Sequence, residues 1–177
     1  WTPVSTNQTI AFGSELLVGL AVSGQVEGTL ASATFDNVSL SPGPLPPLLG
    51  RTVGFTAIQE TDALNGGVYS LTGSGDGVNG TSDDCYFVSA PVAGDFVFTT
   101  RVISRESTAV SPQSGILVRE SIRRTARNVF LSGAPGLAPQ LSWRTTTVTG
   151  STGAGVDYTL APGLLTFVPG ATMQNIS

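Results

Sequence analysis

The chain has 177 residues, of which 40% are apolar and 11% are charged, and its formal net charge is −4. This length and apolar fraction are sufficient for the hydrophobic core of one β-sandwich, with room for part of a second. All 8 basic residues are arginine and histidine is absent. The usual general base near neutral pH and the commonest metal ligand are therefore missing, and the negative charge argues against nucleic acid or an anionic membrane as a partner.

Short strand-like segments separated by turn residues run along the whole chain. It contains 22 glycines and 11 prolines, and the runs between them are rich in Val, Ile, Phe, Thr and Leu. This spacing is typical of all-β proteins and predicts an antiparallel β-sandwich or jelly roll. No apolar stretch reaches the roughly 18 residues of a membrane-spanning helix, and the first residues lack the basic start and apolar core of a signal peptide. We therefore expect a mature or excised piece of a longer secreted protein.

The N-terminal part, residues 1–40, contains two predicted strands. Residues 14–22 form a nearly continuous apolar run, as expected for a strand that is buried on both faces. Residues 30–40 alternate imperfectly between apolar and polar, which predicts a β-bulge near Asp36 and Asn37.

A proline-rich segment follows, and we assign residues 41–52 to a linker. Four of its prolines fall within six residues, at positions 42, 44, 46 and 47. Proline lacks the N–H that a sheet ladder requires, so this segment predicts an extended, semi-rigid connection.

Residues 53–149 form the largest predicted unit, and residues 150–177 form a tail. The strand signals of the unit lie at 68–72, 85–89, 95–104, 115–120, 128–132 and 140–146, and those of the tail lie at 157–160 and 164–168. The glycine-rich residues 73–84 predict a long loop, and Pro91 is expected to end the strand that precedes it. Cys85 is the single cysteine, so it is expected to be a buried thiol without a disulfide partner.

Three carboxylates lie in or at the end of this glycine-rich loop. Asp76, Asp83 and Asp84, together with loop carbonyl groups, are the oxygen ligands that Ca²⁺ prefers, although their spacing is not that of an EF-hand. The alternative is that these aspartates cap turns through their own backbone. The sequence therefore leaves open whether the protein has a calcium site or no cofactor.

Aromatic residues and one pair of charged residues are candidates for a ligand-binding surface. Trp143 and Tyr86 are aromatic side chains of the kind that stack on sugar rings, as are Trp1 and Tyr69. Each aromatic residue could equally pack in the core. Arg119 and Glu120 are neighbours that point to opposite faces of a predicted strand, so they could contact a ligand or form structural ion pairs. The four arginines between positions 119 and 127 are interpreted mainly as a solvated loop.

Several segments resemble concanavalin A-like modules of the DUF1349 type, which occur in large secreted bacterial proteins. The matching segments are 67–75, 80–88, 94–96 and 114–120, whereas residues 16–40 resemble the closing strands of the same module. The resemblance implies a concanavalin A-like sandwich. The closing strands come first, and the family's central aromatic hairpin has no counterpart. The chain is therefore interpreted either as the end of one repeat joined to the start of the next or as a permuted module.

The tail has a different resemblance. Residues 155–170 are similar to the middle of Calx-β repeats, which are also extracellular β-sandwiches, but the calcium-binding carboxylates of that family have no counterpart here. No metal ligand is carried over from it.

These observations together predict a non-catalytic module on a bacterial surface or secreted protein that binds carbohydrate or another surface protein. One alternative is a subunit of an extracellular fibre that assembles by strand exchange, because the charge-free, threonine-rich residues 145–149 could form an exposed edge. Another is an ancillary domain of a glycoside hydrolase, with Asp36, Asp95, Glu106 and Glu120 as the available carboxylates.

Overall fold

The computed structural model describes residues 9–107 and 110–146, and all regular structure in this part of the chain is β-strand. None of these residues belongs to a helix long and apolar enough to cross a membrane. The strands are β1 (Glu15–Ser23), β2 (Val26–Ser41), β3 (Leu49–Val53), β4 (Thr61–Asn65), β5 (Val68–Gly75), β6 (Gly77–Asn79), β7 (Ser82–Ala93), β8 (Val97–Ser107), β9 (Gln113–Arg119), β10 (Asn128–Ser132) and β11 (Gln140–Arg144). Trp1, the end of the threonine-rich segment and the tail with its Calx-β likeness lie outside the described residues.

The strands form two antiparallel sheets that pack face to face, so the predicted all-β sandwich is confirmed. Counting the described residues alone, the large sheet has 7 strands, in the order β11-β10-β9-β1-β7-β3, with the short β6 paired to β7. In the same part of the chain the small sheet has 4 strands, in the order β4-β5-β2-β8. Strands β1 and β2 therefore lie inside the two sheets, next to strands that follow the proline-rich segment.

Strand β1 shows why the N-terminal apolar run has its composition. It pairs with β7 on one side and with β9 on the other, and every residue from Val18 to Ser23 is buried. Alternate residues of a strand point to opposite faces, so a strand covered on both faces is apolar throughout. The predicted burial of this strand on both faces is confirmed.

The space between the sheets holds most of the core. The apolar side chains of the large sheet that point inward come mainly from β1 and β7, and they meet Phe35 of β2 and Leu71 of β5. Nearer β11, Trp143 and Val129 pack beside Val18 in a second cluster that also contacts β8. Full burial of each such side chain contributes roughly 1.5–3 kcal/mol, so these clusters dominate the stability of the sandwich.

The outer face of the large sheet carries a further apolar cluster. Ala21 of β1, Phe87 of β7 and Leu117 of β9 alternate with residues that face the small sheet, and Val78 of β6 packs against them. All of these side chains are buried. The short strand β6 thus helps to shield this face from water.

The outer face of the small sheet is polar and rich in hydroxyl groups. Thr34 and Ser104 are joined by a hydrogen bond of 2.6 Å across β2 and β8, and Ser39 and Thr99 are joined by another of 2.6 Å. The pairing of β2 with β8 shifts register between Asp36 and Ser39, and Asn37 has a φ of 51°. The predicted bulge is confirmed, and asparagine is one of the few residues that adopt this backbone conformation readily.

Three local predictions are wrong. The predicted loop 73–84 is mostly strand, because it contains the end of β5, all of β6 and the start of β7. Residues 49–52 of the predicted linker belong to the edge strand β3. Strand β7 continues through Pro91. Strand β3 pairs with β7 only from Cys85 to Ser89, so the missing N–H of Pro91 interrupts no hydrogen-bond ladder with β3.

Candidate functional site

A buried carboxylate, Asp83 of β7, gathers polar side chains from three other strands of the large sheet. Arg119 ends β9, Asn128 begins β10 and Arg144 ends β11, and the register places Asn128 opposite both arginines. Arg144 Nη2 lies 2.6 Å and Arg119 Nη1 3.0 Å from the Asp83 carboxylate, and Asn128 Nδ2 donates to it at 2.7 Å. The side chains of Asp83 and Arg119 are 0% exposed. A buried carboxylate requires such partners, because burial of an unpaired charge is very costly.

Arg144 has a hydrogen-bond partner for each of its N–H groups. Its Nη1 and Nη2 atoms contact both oxygens of Asp83, at 3.0 and 2.6 Å. Its remaining donors bind the backbone carbonyl groups of Asn79, Gly80, Arg124 and Ala126. This guanidinium is therefore a structural anchor that joins β11 to the hairpin between β6 and β7 and to the loop between β9 and β10.

The arginine-rich loop 120–127 is held by the same network. Arg119 donates to the carbonyl groups of Ser121 at 2.7 Å and Arg123 at 2.6 Å. The backbone N–H of Asp83 donates to the carbonyl of Arg124 at 2.8 Å, and Arg124 Nη2 lies 2.5 Å from Asp84 Oδ2. Two of the four arginines thus hold carboxylates of β7, which the interpretation as a solvated loop did not anticipate.

The three predicted calcium ligands are held apart. Asp83 accepts from arginine and asparagine side chains, whereas its neighbour Asp84 accepts from Arg124 and from the N–H of Phe55 at 2.8 Å. Asp76 accepts from the N–H of Glu27 at 3.2 Å. Within residues 9–107 and 110–146 no group of three or more acidic, Cys or His side chains is placed to hold a metal. The proposed ligand set does not assemble, because adjacent strand residues point in opposite directions and each carboxylate has N–H partners.

Two of the aromatic ligand candidates, Trp143 and Tyr86, lie in the core. Trp143 is 7% exposed and packs with Val129 and Leu141 between the sheets. Tyr86 is 8% exposed, packs with Leu71 and donates its hydroxyl to Asp62 at 2.5 Å. The structure therefore assigns both aromatic rings to packing and offers neither as an open stacking platform.

Arg119 and Glu120, the other two candidates, both belong to ion pairs. Arg119 is fully buried against Asp83, and Glu120 Oε2 lies 3.2 Å from Arg127 Nε. Glu120 Oε1 also accepts from the N–H of Gly13 at 3.2 Å. The two side chains thus form two separate ion pairs, one with Asp83 and one with Arg127.

An open pocket of about 270 Å³ lies beside the buried network. Ser132 of β10 faces Gln140 of β11 in the register, and Ser142 lies two residues further along the same face. The lining residues are Val78, Asn79, Gly80, Gln113, Asn128, Ser132, Gln140, Leu141, Ser142, Trp143 and Arg144. Most of the polar groups are amides and hydroxyls, which can both donate and accept hydrogen bonds.

One wall of the pocket is braced by side chain to backbone hydrogen bonds. Gln113 Oε1 accepts from the N–H of Val78 at 2.7 Å, and Asn79 Nδ2 donates to the carbonyl of Asp76 at 2.9 Å. These bonds fix β6 against β9 and leave the amides of the wall in defined positions. Such pre-organisation lowers the entropic cost of binding a ligand.

Of the predicted ligand-binding residues, the pocket includes only Trp143. Gln140, Ser142, Ser132 and Asn79 were not among the candidates, since single polar residues on short strands carry no recognisable spacing. The alternation of Gln140 and Ser142 around Leu141 was the available signal, and only the pairing of β10 with β11 shows which residues join them.

Comparison of the chain with protein-family models, with curated proteins and with solved structures gave no match.

A second polar group joins the two sheets at the edge formed by β3 and β4. Glu60 accepts from the hydroxyl of Thr52 at 2.6 Å and from the N–H of Ser74 at 2.8 Å, and burial raises the pKa of Glu60. Burial, followed by the hydrogen bond to Asp62, also raises the pKa of Tyr86. These contacts tie the large sheet to the small one at this edge.

Cys85 lies in the apolar cluster on the outer face of the large sheet. The thiol is 1% exposed, and burial strongly raises its pKa. A thiolate is the reactive form of cysteine, so this environment suits packing and not nucleophilic chemistry. The prediction of a buried, free thiol is confirmed.

Proposed function

We propose that the chain is a non-catalytic, glycan-binding module of an extracellular surface or secreted protein. The observation that carries this proposal is the pocket at the β10–β11 end of the large sheet, whose polar lining consists mainly of amides and hydroxyls. Such groups form the paired donor and acceptor contacts that sugar hydroxyls require. The composition supports a binding role, because the chain lacks histidine and has few charged residues with which to perform acid–base chemistry.

The pocket volume favours recognition of a small part of a glycan. At about 270 Å³ it lies just below the usual range of small-molecule sites, about 300–1,000 Å³. It is also only partly enclosed. We therefore expect weak binding, with a Kd in the millimolar range, of a single sugar unit in a larger chain.

A blocking substitution tests the site directly. Ser142→Trp places a large side chain in the pocket, and Gln140→Ala removes an exposed amide from its lining. Ser70→Trp is the matched control, because Ser70 is an exposed strand residue on the outer face of the small sheet. The wild type and the control should bind the same members of an immobilised glycan panel, and both pocket variants should lose binding by at least about tenfold. Equal binding by all four proteins would rule out this pocket.

A second candidate function, assembly by strand exchange, is favoured by the positions of β1 and β2. Both strands lie inside the sheets, and residues 42–48 connect them to the rest of the chain. A second copy could supply the same two strands, which would link copies into a fibre. Strand β8 argues against simple pairing of edges, since its ladder is irregular and it carries Arg101 and Arg105.

An engineered disulfide between β2 and β8 distinguishes strand exchange between copies from a closed monomer. Ser39 and Thr99 have hydroxyl oxygens 2.6 Å apart, so Ser39→Cys with Thr99→Cys should form a bond in a background of Cys85→Ala. Covalent dimers and higher oligomers on a non-reducing gel would support exchange. A disulfide-bonded monomer at every protein concentration would exclude it.

A further inference from the structure

The charge of the pocket lining limits the ligands that it can accept. Among the described residues that line the pocket, Arg144 is the one ionisable side chain. The other lining residues are apolar, or carry neutral amide and hydroxyl groups. Recognition of an acidic ligand would therefore have to depend on this guanidinium.

Arg144 is not available to a ligand. Its side chain is 6% exposed and is bound to both oxygens of Asp83. Its other N–H groups are directed at backbone carbonyl oxygens of the hairpin and the loop around it. A carboxylate or sulfate in the pocket would gain no hydrogen bond from Arg144 unless one of these buried contacts broke, which would leave a buried charged group without its partner.

The second arginine of the network does not change this conclusion. Asp83 is shared by Arg119 and Arg144, so the three side chains together carry one excess positive charge. Arg119 is 0% exposed, does not line the pocket, and donates to the carbonyl groups of Ser121 and Arg123. Those carbonyl dipoles stabilise the charge locally, and the chain as a whole has a net charge of −4, which does not attract anions.

We propose, on the basis of the glycan-binding function proposed above, that the pocket selects neutral saccharides and rejects acidic or sulfated ones. The hydroxyl groups of Ser132 and Ser142 and the amide of Gln140 match an uncharged ligand that is rich in hydroxyl groups. Arg144 shapes the pocket wall but contributes no free charge. Selectivity follows because the described lining residues offer no available cation, so that an anion would exchange part of its hydration for neutral donors alone.

A matched pair of ligands tests this selectivity. The full chain is titrated by calorimetry or NMR with neutral hexose oligosaccharides that bind in the panel and with the corresponding uronic acid oligosaccharides. The neutral member should bind at least about tenfold more tightly. Its affinity should change less than about twofold with added salt, because no charge is exchanged with the solvent on binding.

A charge introduced into the pocket provides the complementary measurement. Ser142→Lys supplies an unpaired ammonium group, and Ser142→Gln is the neutral control of similar size. The lysine variant should gain affinity for the uronic acid ligand, by about threefold to tenfold at low salt, and the glutamine variant should not.

The possible outcomes separate this inference from the proposed function. Preferential binding of uronic or sulfated saccharides by the wild type would overturn the neutral selectivity and leave glycan binding intact. Failure of every saccharide, neutral or acidic, to bind would overturn both. Equal affinity for the two members of the pair would also contradict the inference, since it requires that the anion be excluded.

Discussion

Arg144 Nη2 and Asp83 Oδ1 lie 2.6 Å apart and join the edge strand β11 to β7, although three other strands separate these two in the large sheet. Asp83 is fully buried and Arg144 nearly so. The same carboxylate holds Arg119 and Asn128, so a single side chain connects the ends of β9, β10 and β11. The wall of the pocket and the loop 120–127 both depend on this connection.

Removal of the central carboxylate should therefore destabilise the protein severely. Asp83→Asn leaves two buried guanidinium groups without a counter-charge, and the expected loss is about 3–5 kcal/mol in the free energy of unfolding. Urea denaturation followed by circular dichroism measures it. The control Asp76→Asn changes an exposed aspartate in the neighbouring turn and should cost less than about 0.5 kcal/mol. Similar losses in the two variants would contradict the assignment of Asp83 as the anchor.

The ion pairs of Asp83 and Asp84 also predict the response to calcium. Their oxygens accept from arginine, asparagine and backbone N–H groups, so a cation would have to displace these donors. The Tm of the purified chain should be the same in excess EDTA and in millimolar CaCl₂. A calcium-dependent increase of several degrees would indicate a site, because a ligand that binds the folded state raises its stability.

Glu60 should make stability depend on pH in a defined direction. Because burial raises its pKa in the folded state, the folded protein holds this proton more tightly than the unfolded chain does. The resulting stabilisation is complete below the ordinary pKa of a glutamate and is lost as the pH rises through the raised value. Glu60→Gln should therefore become more stable relative to wild type as the pH rises above the ordinary pKa of a glutamate, about 4.3, as measured by urea denaturation. A difference that stays constant over this range would contradict the role of burial.

Substitution of Trp143 distinguishes a role in core packing from a role in ligand contact. Its indole is buried between the sheets, so Trp143→Ala should cost about 3–5 kcal/mol in unfolding free energy through loss of buried area and formation of a cavity. Trp143→Phe retains part of the packing and should keep glycan affinity within about twofold once the protein is folded. A complete loss of binding by a stable phenylalanine variant would instead identify the indole as a ligand contact.

Cys85 reports on opening of the core. Because the thiol is buried and burial raises its pKa, labelling by a thiol reagent should be very slow in the native state and rapid in urea. The labelling rate should therefore increase in Asp83→Asn, whose folded state opens more often. Rapid labelling of the native wild type would show that the cluster on the outer face of the large sheet is accessible.

The order of residues along the chain was sufficient to predict the fold class and most strands. Turn residues at short intervals and β-branched or aromatic runs identified β1, β2, β5 and β7 to β11 approximately, and the imperfect alternation of β2 located its bulge. These features are local, because backbone conformation and the period of two in a strand are expressed in neighbouring residues.

Only the tertiary structure decided which strands pair side by side in each sheet. Whether Asp83 binds a metal or an arginine depends on Arg119 and Arg144, which lie far from it in sequence but adjacent to it in the folded sheet. Whether Trp143 is buried depends on which strands cover it, and the pocket forms only where β10 and β11 bring Ser132 and Gln140 together. A strand's own residues specify that it has two faces, but its neighbours determine which face meets water, and contacts between distant residues supply that information.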